Sequence, residues 1–89
     1  GGTRFKLLEA MAMRRAIVTT SLGCEGFEVE DGREMIVANA PEAFARGVLG
    51  LLADPARRAA LGERGHAFVR ESYDWSAIVP RLEALLRKR

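Results

Sequence analysis

Residues 1–20 read GGTRFKLLEAMAMRRAIVTT, a glycine pair followed by an apolar helical segment and then by a β-branched run. The apolar residues predict a helix over residues 4–13, with Thr3 as its N-cap. The run at 16–20 has no polar alternation, which is typical of a parallel strand covered on both faces. A helix that leads into a parallel strand is half of a βαβ unit. The stretch therefore predicts an α/β fold.

The remaining residues predict a loop, one more strand and three helices. Glycines punctuate residues 21–33, which we expect to form a loop with solvated acidic side chains, and residues 35–38 read as a second short strand. Pro41 is placed to open a helix whose inner stripe is Phe44, Val48, Leu51 and Leu52.

Two further helices complete the predicted order. Asp54 followed by Pro55 reads as an N-cap and first helical residue, so a third helix is expected to run to about residue 71. Its inward side chains are predicted to include Leu61, Ala67 and Phe68. The last helix carries an apolar stripe, and because Pro80 fits only near a helix start, its regular part is expected to begin near residue 76 or later.

Composition limits the class of protein. The 89 residues carry a net charge of +2 and are 48% hydrophobic, which is ordinary for one small globular domain. The balance of charge is too mild to argue for nucleic-acid binding. Cys24 is the only cysteine, which fits a reducing compartment. The chain has no initiator methionine and starts inside a motif, so we expect it to be a piece of a longer protein.

The start of the first helix is the candidate binding site. Backbone N–H groups at a helix N-terminus point outward and carry partial positive charge, so phosphate can bind there. Arg4 and Lys6 add cations there, and the carboxylate of Glu9, two turns in, could accept hydrogen bonds from sugar hydroxyls. This pairing indicates a ligand with a diphosphate at one end and a ribose at the other, such as a nucleotide sugar.

Structural alternatives exist for the same residues. Glu9 could pair with Lys6 at i,i+3 on a solvated helix face, a contact worth about 0.3 kcal/mol. His66 is expected to be an exposed helix residue. It has no cysteine or histidine at metal-ligand spacing, so no metal site is expected. We predict no nucleophilic role for Cys24, because Glu25 beside it would disfavour the thiolate.

Residues 2–12, followed by residues 16–20, resemble the donor-binding core of family-4 glycosyltransferases, which are retaining enzymes of the GT-B architecture. The likeness continues through residues 23–26, 41–44, 51–54 and 73–75. It implies that residues 1–89 are the C-terminal part of a Rossmann-like, doubly wound nucleotide-sugar-binding domain, rich in helix and with a short parallel sheet. The relatives commonly have glycine at the position of Arg14.

The resemblance also implies residue roles. Glu9 matches the second glutamate of the family's Glu-x7-Glu motif, which contacts the ribose, whereas Gly1 stands where the first glutamate would be. Gly2, Thr3 and Arg4 correspond to the segment that cradles the diphosphate. No catalytic residue is assigned to this chain. The expected donor is a UDP- or GDP-hexose, transferred without a metal or other cofactor to an acceptor hydroxyl bound largely by a separate N-terminal domain.

Two other functions remain open on the sequence. The chain could be an interaction module that forms a homodimer through the apolar stripe of its last helix. It could also be a basic helical protein that binds nucleic acid, although acidic residues interrupt its basic stretch. We expect a cytoplasmic protein, with at most peripheral contact between residues 87–89 and acidic lipids.

Overall fold

The computed structural model describes residues 2–87 of the chain as four helices and a two-stranded parallel sheet. In chain order the elements are α1 (Gly2–Ala12), β1 (Val18–Thr19), β2 (Ile36–Val37), α2 (Pro41–Ala53), α3 (Pro55–Ser72) and α4 (Trp75–Arg87). The strands pair in parallel, with Val18 opposite Ile36 and Thr19 opposite Val37. The predicted α/β class, rich in helix and with a short parallel sheet, is therefore confirmed.

Both strands are shorter than the sequence predicts. The ladder is carried by hydrogen bonds from the Ile36 N–H to the Ile17 carbonyl and from the Ala38 N–H to the Thr19 carbonyl, each 2.9 Å long. Asp31 extends the contact, because its Oδ1 accepts a hydrogen bond from the Val37 N–H at 2.8 Å. The sheet is thus a small platform between the helices.

Helix α1 ends in a left-handed turn at Arg14, whose φ is 60°. The Arg14 N–H donates to the Met11 carbonyl and the Arg15 N–H to the Ala10 carbonyl, which is the Schellman arrangement of helix ends. A non-glycine residue in this conformation costs about 1 kcal/mol. At the other end, Thr3 lies inside α1, so its prediction as the N-cap is wrong.

Helix α3 lies directly against this turn. A Cβ on Gly62 would lie 2.2 Å from the Arg14 carbonyl oxygen, so only glycine permits the approach. Two helical turns of α3 face inward here and bury Leu61, Gly62, Gly65, His66 and Val69. Leu61 is fully buried on this face, as predicted. Ala67 is exposed, contrary to prediction, because it lies on the opposite face of the helix.

His66 is buried, with 7% of its surface exposed, and its prediction as an exposed residue is wrong. Its Nδ1 lies 2.9 Å from the Ala12 carbonyl oxygen, and because a carbonyl only accepts, Nδ1 carries the proton. The Trp75 indole and the imidazole pack edge to face, with their ring centres 5.2 Å apart. His66 therefore ties α1, α3 and the start of α4 together.

Helix α2 starts at Pro41, as predicted, but its buried face is narrower than the predicted stripe. Leu51 is 4% exposed, whereas Val48 and Leu52 are 36% and 65% exposed, so the inward prediction for those two is wrong. The helix packs mainly against β1 and α3, and Gly47 brings its backbone close to Val18 and Ile36 of the sheet. A sheet of two short strands gives it too little surface to cover a wide apolar stripe.

Helix α3 begins as predicted, since the Asp54 carboxylate accepts a hydrogen bond from the Arg57 N–H at 3.0 Å. Helix α4 begins at Trp75, slightly before the predicted start near residue 76 or later, so Pro80 lies inside the helix. The Asp74 carboxylate caps it by accepting a hydrogen bond from the Ser76 N–H at 3.1 Å. The cap and the packing of Trp75 and Ile78 offset the backbone hydrogen bond that Pro80 cannot donate.

Candidate functional site

The candidate site is the N-terminal half of α1. Arg4 and Lys6 are exposed there, and the first turn of the helix holds no acidic residue. A helix N-terminus carries partial positive charge, and cations beside it are unfavourable unless an anion is bound. The backbone N–H groups at Gly2, Thr3 and Arg4 lie in this first turn, so they and Lys6 form an electropositive end of the helix.

Arg4 packs against the loop between β1 and β2. Its guanidinium carbon lies 5.0 Å from the centre of the Phe27 ring, a cation–π contact. Gly26, with a φ of 89°, makes room for it, because a Cβ there would lie 3.1 Å from an Arg4 nitrogen. Phe27 is itself buried. Arg4 therefore anchors the loop beside the helix N-terminus, a role that the sequence did not reveal.

Glu9 lies further along α1, and its side chain is only 14% exposed. Its Oε1 accepts a hydrogen bond from the Arg81 Nε of α4 at 2.9 Å. Among the described residues its ion-pair partner is Arg81, so the alternative in which Glu9 pairs with Lys6 on a solvated face is wrong. At a rise of 1.5 Å per residue, Glu9 is about 10 Å along the axis from Gly2.

Arg81 is held on its other side by Phe5. The guanidinium carbon lies 4.0 Å from the centre of the Phe5 ring, and Phe5 precedes Glu9 by one helical turn. An open concavity of about 230 Å³ adjoins these groups, lined by Glu9, Arg81, Ala84 and Leu85. Arg81 was missed by the sequence analysis because 72 residues separate it from Glu9.

Other features lie apart from α1's N-terminal half. Cys24 is buried in the β1–β2 loop. A hydrogen bond to the buried Glu34 carboxylate raises the pKa of the Arg33 guanidinium.

Over residues 2–87, no group of three or more His, Cys, Asp or Glu side chains is arranged to hold a metal ion. Within the same residues, no helix is both long and apolar enough to cross a membrane.

Comparison with known proteins gives a family for this chain. The family model described as "Glycosyl transferases group 1" matches residues 1–54, which include α1, the sheet and α2. The "Uncharacterized glycosyltransferase MJ1069" of Methanocaldococcus jannaschii is 29% identical over 90 residues, covering 99% of this chain and 23% of that protein. An "Uncharacterized 44.6 kDa protein in cps region" of Klebsiella pneumoniae is 27% identical over 73 residues, covering 82% of this chain and 19% of that protein.

The chain spans about a fifth of the length of these two curated relatives. The matched family model nevertheless covers more than half of the chain, including the whole candidate site on α1. The chain therefore belongs to the glycosyl transferases group 1 family.

Proposed function

We propose that the protein containing this chain transfers a sugar from a nucleotide-sugar donor to an acceptor hydroxyl, and that residues 2–9 bind the donor's nucleotide. The observation that carries the proposal is a mostly buried carboxylate at Glu9, two turns from an electropositive helix N-terminus, within the segment that the family model matches. A ligand with an anionic group at one end and hydroxyl groups at the other would complement these two features of α1.

The phosphate end of the ligand would lie at the first turn of α1. Backbone N–H groups at Gly2, Thr3 and Arg4 donate to the diphosphate, and the exposed Lys6 adds positive charge. Negative charge grows on the diphosphate as the bond to the sugar breaks. Fixed donors at this position stabilise that charge in the transition state, which is the main electrostatic demand of the reaction.

The ribose end would lie at Glu9. A carboxylate accepts hydrogen bonds through both oxygens, and hydrogen bonds to charged groups contribute about 1.5–3 kcal/mol. The resemblance to family-4 enzymes supports the finer proposals: a UDP- or GDP-hexose donor, retention of configuration, no metal requirement and an acceptor site largely in an N-terminal domain. A reducing, cytoplasmic location fits the single cysteine.

The test uses the full-length protein and a panel of UDP- and GDP-hexoses, with release of the nucleoside diphosphate as the readout. We expect one donor to be consumed, and Glu9→Gln to lower kcat/KM for it by about 10- to 100-fold. Glu63→Gln is the matched control, because Glu63 is an exposed glutamate paired with Arg14 at 2.8 Å, and it should leave kcat/KM unchanged. Turnover of no donor, or equal rates for the wild type and Glu9→Gln, would refute the proposal.

A second candidate function has one observation in its favour. Leu85 and Leu86 of α4 are 37% and 58% exposed, which leaves part of its apolar stripe uncovered within the described residues. An interaction module that forms a homodimer through this stripe would cover it. Sedimentation of the full-length protein at rising concentration tests this alternative: a dimer that Leu86→Glu dissociates supports it, and a monomer at all concentrations contradicts it.

A further inference from the structure

We propose that Arg81 is a positioning residue for the ribose: it holds the Glu9 carboxylate in the orientation that accepts hydrogen bonds from the ribose hydroxyls. This inference rests on the proposed function and extends the nucleotide site from α1 to α4. It assigns a role to a residue outside the segment that the family model matches, since that match ends at residue 54.

The first argument is the geometry of the ion pair. The Arg81 Nε donates to one oxygen of Glu9, Oε1, at 2.9 Å. Because the contact uses a single carboxylate oxygen, the other oxygen keeps its full capacity to accept from a hydroxyl group. Glu9 is 14% exposed and Arg81 50% exposed, so the carboxylate is the enclosed member of the pair. A long glutamate side chain held at one oxygen loses little further freedom when it binds a ligand.

The second argument is that Arg81 is itself held in place. Its guanidinium stacks on the Phe5 ring, with the guanidinium carbon 4.0 Å from the ring centre. A planar guanidinium can stack on an aromatic face and donate in its own plane at the same time. Phe5 and Glu9 are four residues apart and so share one face of α1. One face of α1 therefore supplies both the platform for Arg81 and the carboxylate that Arg81 orients.

The third argument is the space beside the pair. The concavity of about 230 Å³ is lined by Glu9 of α1 and by Arg81, Ala84 and Leu85 of α4. A ribose that hydrogen-bonds Glu9 at this concavity would contact α1 and α4 together.

The test compares nucleotides with and without ribose hydroxyls. UDP, GDP, their 2′,3′-dideoxy analogues and inorganic pyrophosphate are titrated calorimetrically into the full-length wild type, Glu9→Gln, Arg81→Gln and Arg87→Gln. Arg87 is the matched control, because it lies on the same helix, is 81% exposed and pairs with Glu83 at 3.8 Å. The ratio of the affinity for the ribonucleotide to that for its dideoxy analogue isolates the hydroxyl contacts.

We expect the wild type to favour the ribonucleotide by about tenfold or more, and Glu9→Gln to remove that preference. Arg81→Gln should lower the preference several-fold while the affinity for pyrophosphate stays the same, and Arg87→Gln should match the wild type. If Arg81 has a merely structural role, Arg81→Gln will lower the affinities for the ribonucleotide, the dideoxy analogue and pyrophosphate equally. That result would overturn the inference.

The two proposals fail in different ways. If Glu9→Gln loses the preference for ribose and Arg81→Gln keeps it, the inference about Arg81 is overturned and the proposed function stands. If the wild type binds no nucleoside diphosphate, or if Glu9→Gln keeps the full preference for ribose, the ribose assignment falls and the role of Arg81 falls with it.

Discussion

Replacement of Gly62 by alanine tests how closely α3 packs against the end of α1. The added Cβ would lie 2.2 Å from the Arg14 carbonyl oxygen and 2.9 Å from its carbonyl carbon. Both atoms are backbone, so no side chain can rotate away and the helices must separate. Overpacking of this kind costs about 1–3 kcal/mol, and alanine recovers about 1 kcal/mol of that through its higher helix propensity. We expect a net loss of about 2 kcal/mol, since a backbone clash lies at the upper end of the range.

Gly50→Ala is the matched control for this substitution. Gly50 also lies inside a helix, α2, but the nearest atom to an added Cβ is an Arg57 side-chain nitrogen at 3.9 Å, an ordinary contact. The control should therefore gain about 0.5–1 kcal/mol from helix propensity alone. The two variants are expected to differ by about 2.5–3 kcal/mol in the free energy of unfolding.

The assay is a urea titration of the full-length protein, read by hydrogen–deuterium exchange of peptides from residues 55–72. This readout reports the free energy of opening of α3 itself, whatever other domains are present. If Gly62→Ala is as stable as Gly50→Ala, α3 does not approach the Arg14 carbonyl as described, and the account of the α1–α3 contact is refuted.

Three further substitutions follow from the same contacts. Arg14→Gly should raise the free energy of unfolding by about 0.5–1 kcal/mol, since glycine adopts the left-handed turn freely and the exposed ion pair with Glu63 contributes little; a loss of stability in urea would contradict this. Pro80→Ala should restore a helical hydrogen bond and so raise the free energy of opening of α4, measured by amide exchange, by up to about 3 kcal/mol; unchanged exchange would count against a continuous helix. His66→Phe should cost about 1–2 kcal/mol in urea unfolding, because the Ala12 carbonyl loses its donor; a neutral result would show that the bond is absent.

The elements that the sequence predicts well are those with strong local signals. Pro41 and the pair Asp54–Pro55 mark helix starts through the fixed φ of proline and the capping carboxylate, and both starts lie where predicted. The β-branched run before residue 21 likewise predicts a parallel strand. Local chemistry decides these features, so no tertiary information is needed.

The features that the sequence does not predict depend on contacts between distant residues. His66 is buried because Gly62 and Gly65 let α3 approach α1, and nothing near His66 in the sequence indicates that approach. Glu9 is enclosed because Arg81 reaches it across 72 residues. Thr3 has the right side chain for an N-cap, yet α1 already includes it. At the candidate site, the sequence therefore supplies the residue types on α1 but not the contribution of α4.

The measurement that tests the central claim most directly is a crystal structure of the full-length protein with the nucleoside diphosphate that it binds best. The account predicts the diphosphate at the N-terminus of α1, and a ribose hydroxyl within about 3.2 Å of a Glu9 carboxylate oxygen. A nucleotide bound away from α1, or one bound there with Glu9 contacting only Arg81, would contradict the claim that this helix binds the donor's ribose.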